Sequence, residues 1–212
     1  MTEAPRRIVV GISGASGAVY GVRLLQALQG MAGVESHLVV SDAGWRTLRH
    51  ELALAPAAVQ ALADVAHELD DVGAAIASGS FAAHGMVVAP CSMRTLAAIA
   101  QAQSDNLLTR AADVMLKERR RLVLLTRESP LHLGHLRNMV AATELGAIVC
   151  PPVPAFYQRP GTVDEIVLHS VARALDLLGL PHDLAPRWQG LPSAAETIES
   201  MAASARHASS GA

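Results

Sequence analysis

The segment Ile8-Val9-Val10-Gly11-Ile12-Ser13-Gly14-Ala15-Ser16-Gly17 constrains the fold more than any other part of the chain. An apolar run rich in β-branched residues stops at glycines and serines. Tyr20, Leu24, Leu25 and Leu28 then recur at helical spacing. The pattern predicts strand, tight turn and helix start. Free N–H groups at such a start favour an anion, usually a phosphate, and glycine lets the backbone approach a ligand closely. The spacing Gly11, Gly14, Gly17 is not the G-x-G-x-x-G of the dinucleotide fingerprint. The segment therefore also fits an ordinary strand–helix junction whose glycines permit tight packing.

The same alternation recurs down the chain. Apolar runs at 37–40, 86–89, 122–125 and 147–150 each end in a polar turn, and helical stretches follow at 45–53, 96–100 with 106–119, 132–144 and 162–178. The runs are continuously apolar rather than alternating, which predicts a parallel sheet covered on both faces. We expect an α/β fold: a single doubly wound, Rossmann-like domain with a mostly parallel sheet over residues 1–190, and a loose tail at 191–212. Thr162 with Glu165 three residues later reads as a capping box, and Gly179 closes that helix. Residues 54–85 are alanine-rich and lack a clear period; within them Glu68-Leu69-Asp70-Asp71 reads as a solvated helix face.

With 212 residues the chain can bury one sizeable core. Hydrophobic residues are 51% and charged residues 17%, a sparse charge supply that suits a subunit of an oligomer. A net charge of -2 gives no general attraction to nucleic acid or membrane. Neither a signal peptide nor a membrane-spanning run is visible, so a cytoplasmic location is expected. Cys91 and Cys150 are far apart and lack metal-ligand spacing, and they read as reduced buried thiols. Lys117 is the only lysine among 17 basic residues, which singles it out.

Ligands bind at the carboxyl ends of the strands in an open parallel sheet. Five such ends carry polar or unusual chemistry: Ser13 with Ser16, Ser41, Ser92 with Thr95, Arg127 with Glu128, and 154–157. Arg110 and Lys117 are seven apart, share a helix face, and with Arg127 supply positive charge for a phosphate. Each also has a plainer reading. Ser16 and Ser41 suit helix caps, and the basic run 117–121 suits a solvated helix end. Known motifs of other enzymes are missing. Tyr20 and Tyr157 are followed four residues later by Leu24 and Gly161, not lysine. No Gly-Lys-Ser/Thr loop and no G-x-S-x-G elbow occurs, and His132 and His135 read as helix-surface residues.

Taken together, several blocks make the chain resemble the UbiX-type flavin prenyltransferases, within the homo-oligomeric flavin-containing Cys decarboxylases. They are 11–17, 41–44, Ala89-Pro90-Cys91-Ser92-Met93-Arg94-Thr95-Leu96, Asp105-Asn106-Leu107-Leu108-Thr109-Arg110 running on to Lys117, Arg127-Glu128, 135–139 and 151–157. The resemblance covers residues 8 to about 190. It implies non-covalent binding of reduced FMN, dimethylallyl phosphate as second substrate, and joining of the prenyl group to nitrogen 5 and carbon 6 of the flavin. It implies no metal, a dodecamer with sites shared between subunits, and a UbiD-type decarboxylase as recipient of the prenylated FMN.

Residue by residue, it implies that Gly14, Ala15, Ser16, Ser41, Ser92, Met93, Arg94, Thr95 and Arg127 hold the flavin. Arg110, Lys117, Arg127, Glu128, Tyr157, Arg173 and Trp188 match the prenyl donor's site, some of them reaching in from a neighbouring subunit. Ser16 and Glu51 match a proton-relay pair, so Ser16, Glu51, Lys117 and Glu128 form the expected catalytic set. One departure is Ala102, which stands where the family pattern has glycine, and it is expected near the flavin side of the site. The alternatives are an FMN-dependent decarboxylase of a cysteine-type substrate and a non-catalytic flavin carrier. The first is disfavoured because its substrate clamp contains Met-Asn, a dipeptide missing here.

Overall fold

The computed structural model of the chain describes residues 4–190. The expected tail at 191–212 lies outside the described residues. In chain order the elements are β1 (Arg6–Ile12), α1 (Ala18–Gln29), β2 (Val34–Val40), α2 (Asp42–Leu52), α3 (Pro56–Gln60), β3 (Val65–His67), β4 (Ala83–Cys91), α4 (Met93–Ala100), α5 (Leu107–Lys117), β5 (Arg121–Thr126), α6 (Leu133–Glu144), β6 (Ile148–Val149) and α7 (Val163–Leu178). The strands form one sheet in the order β3-β2-β1-β4-β5-β6, and every pairing is parallel. The order reverses beside β1, so the ends of β1, β2 and β4 flank the switch point at which such sheets take ligands.

Period-two alternation distributes the core. Ile8, Val10 and Ile12 point into one layer with α1, α2 and α7, while Val9 points into the other with α4, α5 and α6. The β1 valines and isoleucines are fully buried, which stabilises the fold by about 1.5–3 kcal/mol for each side chain. On α6, Leu133, Leu136 and Val140 remain exposed. No helix among the described residues is long and apolar enough to cross a membrane.

Several local expectations are corrected. Asp42-Ala43-Gly44 is the first turn of α2, not a separate turn, because Ser41 Oγ accepts the Gly44 N–H (3.0 Å) and caps the helix. The acidic run 68–71 forms a turn after β3, not a helix face; there the Leu69 carbonyl accepts the Leu107 N–H (2.8 Å) at the start of α5. In the capping box of α7, Glu165 donates its N–H to Thr162 Oγ1 (3.2 Å). Its carboxylate, however, takes the N–H of Gly161 (2.7 Å) and not that of Thr162. His132 caps α6, its Nδ1 accepting the Gly134 N–H (3.0 Å), and its ring lies 3.6 Å from that of His135.

Candidate active site

Four of the helices that begin at the carboxyl edge of the sheet, α1, α2, α4 and α5, shape the site. Three are capped by their own turn: α2 by Ser41, α4 by Ser92 (Thr95 N–H, 3.3 Å) and α5 by Asn106 (Thr109 N–H, 3.1 Å). All three caps line one cleft of about 560 Å³, which Gly14, Arg94 and Thr95 also line. The remaining backbone N–H groups of three helix starts make this cleft a natural anion site. Ser13, buried beneath it, joins the strand ends: its hydroxyl donates to the Pro90 carbonyl (2.9 Å) and accepts the Ser92 N–H (2.8 Å). Gly14 is explained by packing, because a Cβ there would sit 2.2 Å from that of Ala43. The glycine lets the β1 turn and α2 close on each other and shape the cleft wall.

The fourth start, that of α1, differs. Gly17 adopts a left-handed conformation (φ 103°) and offers no side-chain cap. Glu51, from the last turn of α2, fills the position. Its carboxylate accepts the N–H groups of Gly17 and Ala18, each at 2.9 Å, and the neighbouring Ser16 hydroxyl favours its ionised form. Burial pushes the Glu51 carboxyl up. The Ser16 hydroxyl, the two amides and the charge of His50 outweigh that and leave it below the ordinary glutamate range. The Gly17 and Ala18 amides at the glycine turn are thus taken by the chain's own carboxylate. Arg127 Nε donates to the Ser16 carbonyl (3.2 Å), placing a cation beside the pair.

Of the other expected flavin residues, Ala15 is buried in the turn, and the Met93 side chain packs into the core, leaving its backbone at the start of α4. Arg94 pairs with Asp105 (2.8 Å) at the cleft. Arg46, Leu69 and Asn106 also line the cleft and were not expected there. Asn106 carried a signal as an Asn three residues before Thr109. Arg46 carried none, and Leu69 sits in the stretch without a period.

A second cavity, of about 500 Å³, lies along α7 and brings together Tyr157, Arg173 and Trp188. The Tyr157 and Trp188 rings meet edge to face at 5.3 Å, and the Tyr157 hydroxyl lies 3.4 Å from His169 Nε2. Burial and the nearby Arg173 charge push His169 below the ordinary histidine value, against the opposing charge of Asp176, which favours a neutral imidazole there. Glu128 follows β5 and accepts the Ser129 N–H (3.0 Å).

Arg110 and Lys117 do not join the cleft within one chain. Arg110 donates to the Ala77 carbonyl (3.1 Å) and pairs with Asp113 (2.8 Å). Lys117 ends α5 beside Glu118, at the sheet edge where β5 begins, opposite the Ser16 edge. Ala102 lines a small pocket with Lys117, so its expected place near the flavin side is corrected to that opposite edge. Its φ of 53° explains the glycine of the family pattern: the backbone there is left-handed.

A parallel α/β sheet with helix starts ringing a cleft at its switch point is the arrangement of a nucleotide-type ligand site, and the class of protein is a flavoprotein. The Flavoprotein family profile matches residues 1–163. The chain is 56% identical over 187 residues to the flavin prenyltransferase UbiX of Escherichia coli (strain K12), covering 87% of this chain and 99% of that one. A crystal structure of AnUbiX (PadA1) in complex with FMN and dimethylallyl pyrophosphate superposes with a TM-score of 0.86 at 49% identity, covering 89% of this chain and 100% of that one. A dodecameric FMN-dependent UbiX-like decarboxylase from Escherichia coli O157:H7 gives 0.85 at 52% identity, covering 87% and 100%. The chain belongs to the UbiX flavin prenyltransferases.

Proposed function

We propose that this flavin prenyltransferase joins a dimethylallyl group from dimethylallyl phosphate to nitrogen 5 and carbon 6 of reduced FMN, within one flavin-binding domain spanning 1–190. The observation that carries the reading is the Glu51 carboxylate held on the glycine turn beside Arg127, next to a cleft ringed by three helix starts. The cleft fits FMN: unspent N–H groups, Ser41, Ser92 and Thr95 suit its phosphate, and Arg94 adds charge. Reduced FMN supplies the electron-rich nitrogen and carbon that take the prenyl group.

The chain's own groups have separable tasks. The donor's carbon–oxygen bond breaks and charge collects on the departing phosphate. Arg173, with Arg110 and Lys117 from a neighbouring copy, would stabilise it. The edges and faces of Tyr157 and Trp188 suit the cation-like prenyl fragment. Glu51, held ionised on Ser16, can take a proton through that hydroxyl, and Glu128 supports loss of the ring proton when the second bond forms. Packing of copies would exclude water and align the reactants. The exposed leucines and valine of α6 offer an apolar surface for that assembly, proposed as a dodecamer. The prenylated FMN would pass to a UbiD-type decarboxylase in the cytoplasm.

The test is an anaerobic incubation with reduced FMN and either dimethylallyl phosphate or its pyrophosphate, followed by mass spectrometry of the extracted flavin. A flavin heavier by one prenyl unit is expected, and the two donors' rates identify the one used. Bound but unaltered FMN beside an active control enzyme would overturn the reading.

A further inference from the structure

Asp176 is the only carboxylate lining the Tyr157–Trp188 cavity among the described residues. A carboxylate is an odd lining for a cavity expected to receive a phosphate, because like charges repel. Here its oxygens are spent on the protein. Oδ2 takes Arg173 Nη1 (2.7 Å), while Oδ1 takes His182 Nε2 and Arg187 Nη1, each at 3.1 Å. His182 is almost fully buried, and its Nδ1 accepts the Leu184 N–H (3.4 Å), so Nε2 carries the proton that faces Asp176. Burial pushes the Asp176 carboxyl up, and Arg173, His182 and Arg187 together pull it below the ordinary aspartate value.

These contacts are not needed to finish α7. Gly179, at φ 72°, already closes the helix, and Leu180 N–H returns to the Leu175 carbonyl (3.0 Å). What Asp176 adds is the course of the chain beyond. Residues 182–188 fold back along α7, with Gln158 Nε2 donating to the Pro186 carbonyl (3.1 Å), and Trp188 is delivered to Tyr157.

The geometry points to Asp176 as a positioning residue for the prenyl donor: one oxygen aims Arg173, and the other anchors the returning segment that carries Trp188. The inference rests on the prenyl-donor reading proposed above. It ties the group expected to meet the donor's phosphate to the ring expected to meet its hydrocarbon end. A donor would then bind only when both are set at the right separation.

The experiment compares wild type with Asp176→Asn, measuring KM for dimethylallyl phosphate, kcat and FMN affinity. Trp188 emission is read in a Trp45→Phe background. For Asp176→Asn, KM is expected to rise at least about tenfold, the scale of one lost charge-assisted contact. FMN affinity should stay unchanged and Trp188 emission should shift to longer wavelength. An unchanged KM and emission, with wild type active, would overturn the inference and leave the proposed function standing. If wild type itself fails to prenylate, the proposed function falls and emission alone decides: no shift overturns the positioning role. Should Asp176→Asn fail to fold, Arg187→Met removes one outer arm only, and the same shift in emission with a smaller rise in KM is expected; the absence of both changes would overturn the inference.

Discussion

The Glu51 carboxylate sits 2.9 Å from the amide of Gly17, so α1 is capped from the last turn of α2 and not from its own sequence. The same carboxylate is held below its ordinary value by the Ser16 hydroxyl and the two amides, against its burial. A carboxyl with a folded value below its unfolded one stabilises the native state above the unfolded value, here 4.5, and loses that contribution as pH falls through the folded value. Glu51→Gln should therefore flatten the acid limb of the melting temperature below about pH 5. It should also slow prenyl transfer more than FMN binding. A wild-type acid limb retained in the variant would remove Glu51 from this role.

Gly14→Ala would place a methyl group against Ala43. We expect a loss of about 1–3 kcal/mol, the usual cost of overpacking, with weakened FMN binding because α2 is pushed off the β1 turn. Urea unfolding and flavin titration check the two parts separately.

Ala102→Gly should do the reverse and raise stability by about 1 kcal/mol, since Ala102 carries a φ of 53° that glycine adopts without penalty. Equilibrium unfolding decides it; a destabilised variant would show that the alanine methyl makes a contact worth more than the backbone strain.

Lys117 and Ser16 lie at opposite edges of the sheet. Lys117→Ala and Glu128→Ala homo-oligomers should each be nearly inactive while binding FMN, the first with a raised demand for dimethylallyl phosphate. Dissociating and reassembling the two together should restore part of the turnover, because some mixed sites then receive an intact residue from each copy. No recovery in oligomers shown by mass to be mixed would place Lys117 outside a shared site.

Much of this architecture was legible in the chain. Strands such as 86–89 and 122–125 were visible because both faces are buried, and Thr162, Glu165 and Gly179 marked both ends of α7. The stretch 54–85 was not, because β3 has only three residues and its neighbours are short alanine-rich turns that leave no period to read. Asp42-Ala43-Gly44 looked like a turn because its residue types favour turns, yet a single serine cap recruits them into α2. At the site, caps and strand ends were readable as types. Contacts such as Glu51 to Gly17 or Asp176 to Arg187 join separate elements and depend on how those elements pack. Lys117 stood out by rarity, but its distance from Ser16 follows only from the direction in which α5 runs.

Filling the start of α1 with Glu51 also gives the cleft a polarity. Beside it lies the fixed negative charge of Glu51, and along its wall lie the starts of α2, α4 and α5. A flavin mononucleotide is itself a polar rod, with a dianionic tail and a flat, weakly charged head. Reversed, its dianionic tail would lie nearer the Glu51 carboxylate, and like charges repel. On the function proposed above, the carboxylate would disfavour one of the two ways round in which the mononucleotide can enter, before any group reacts.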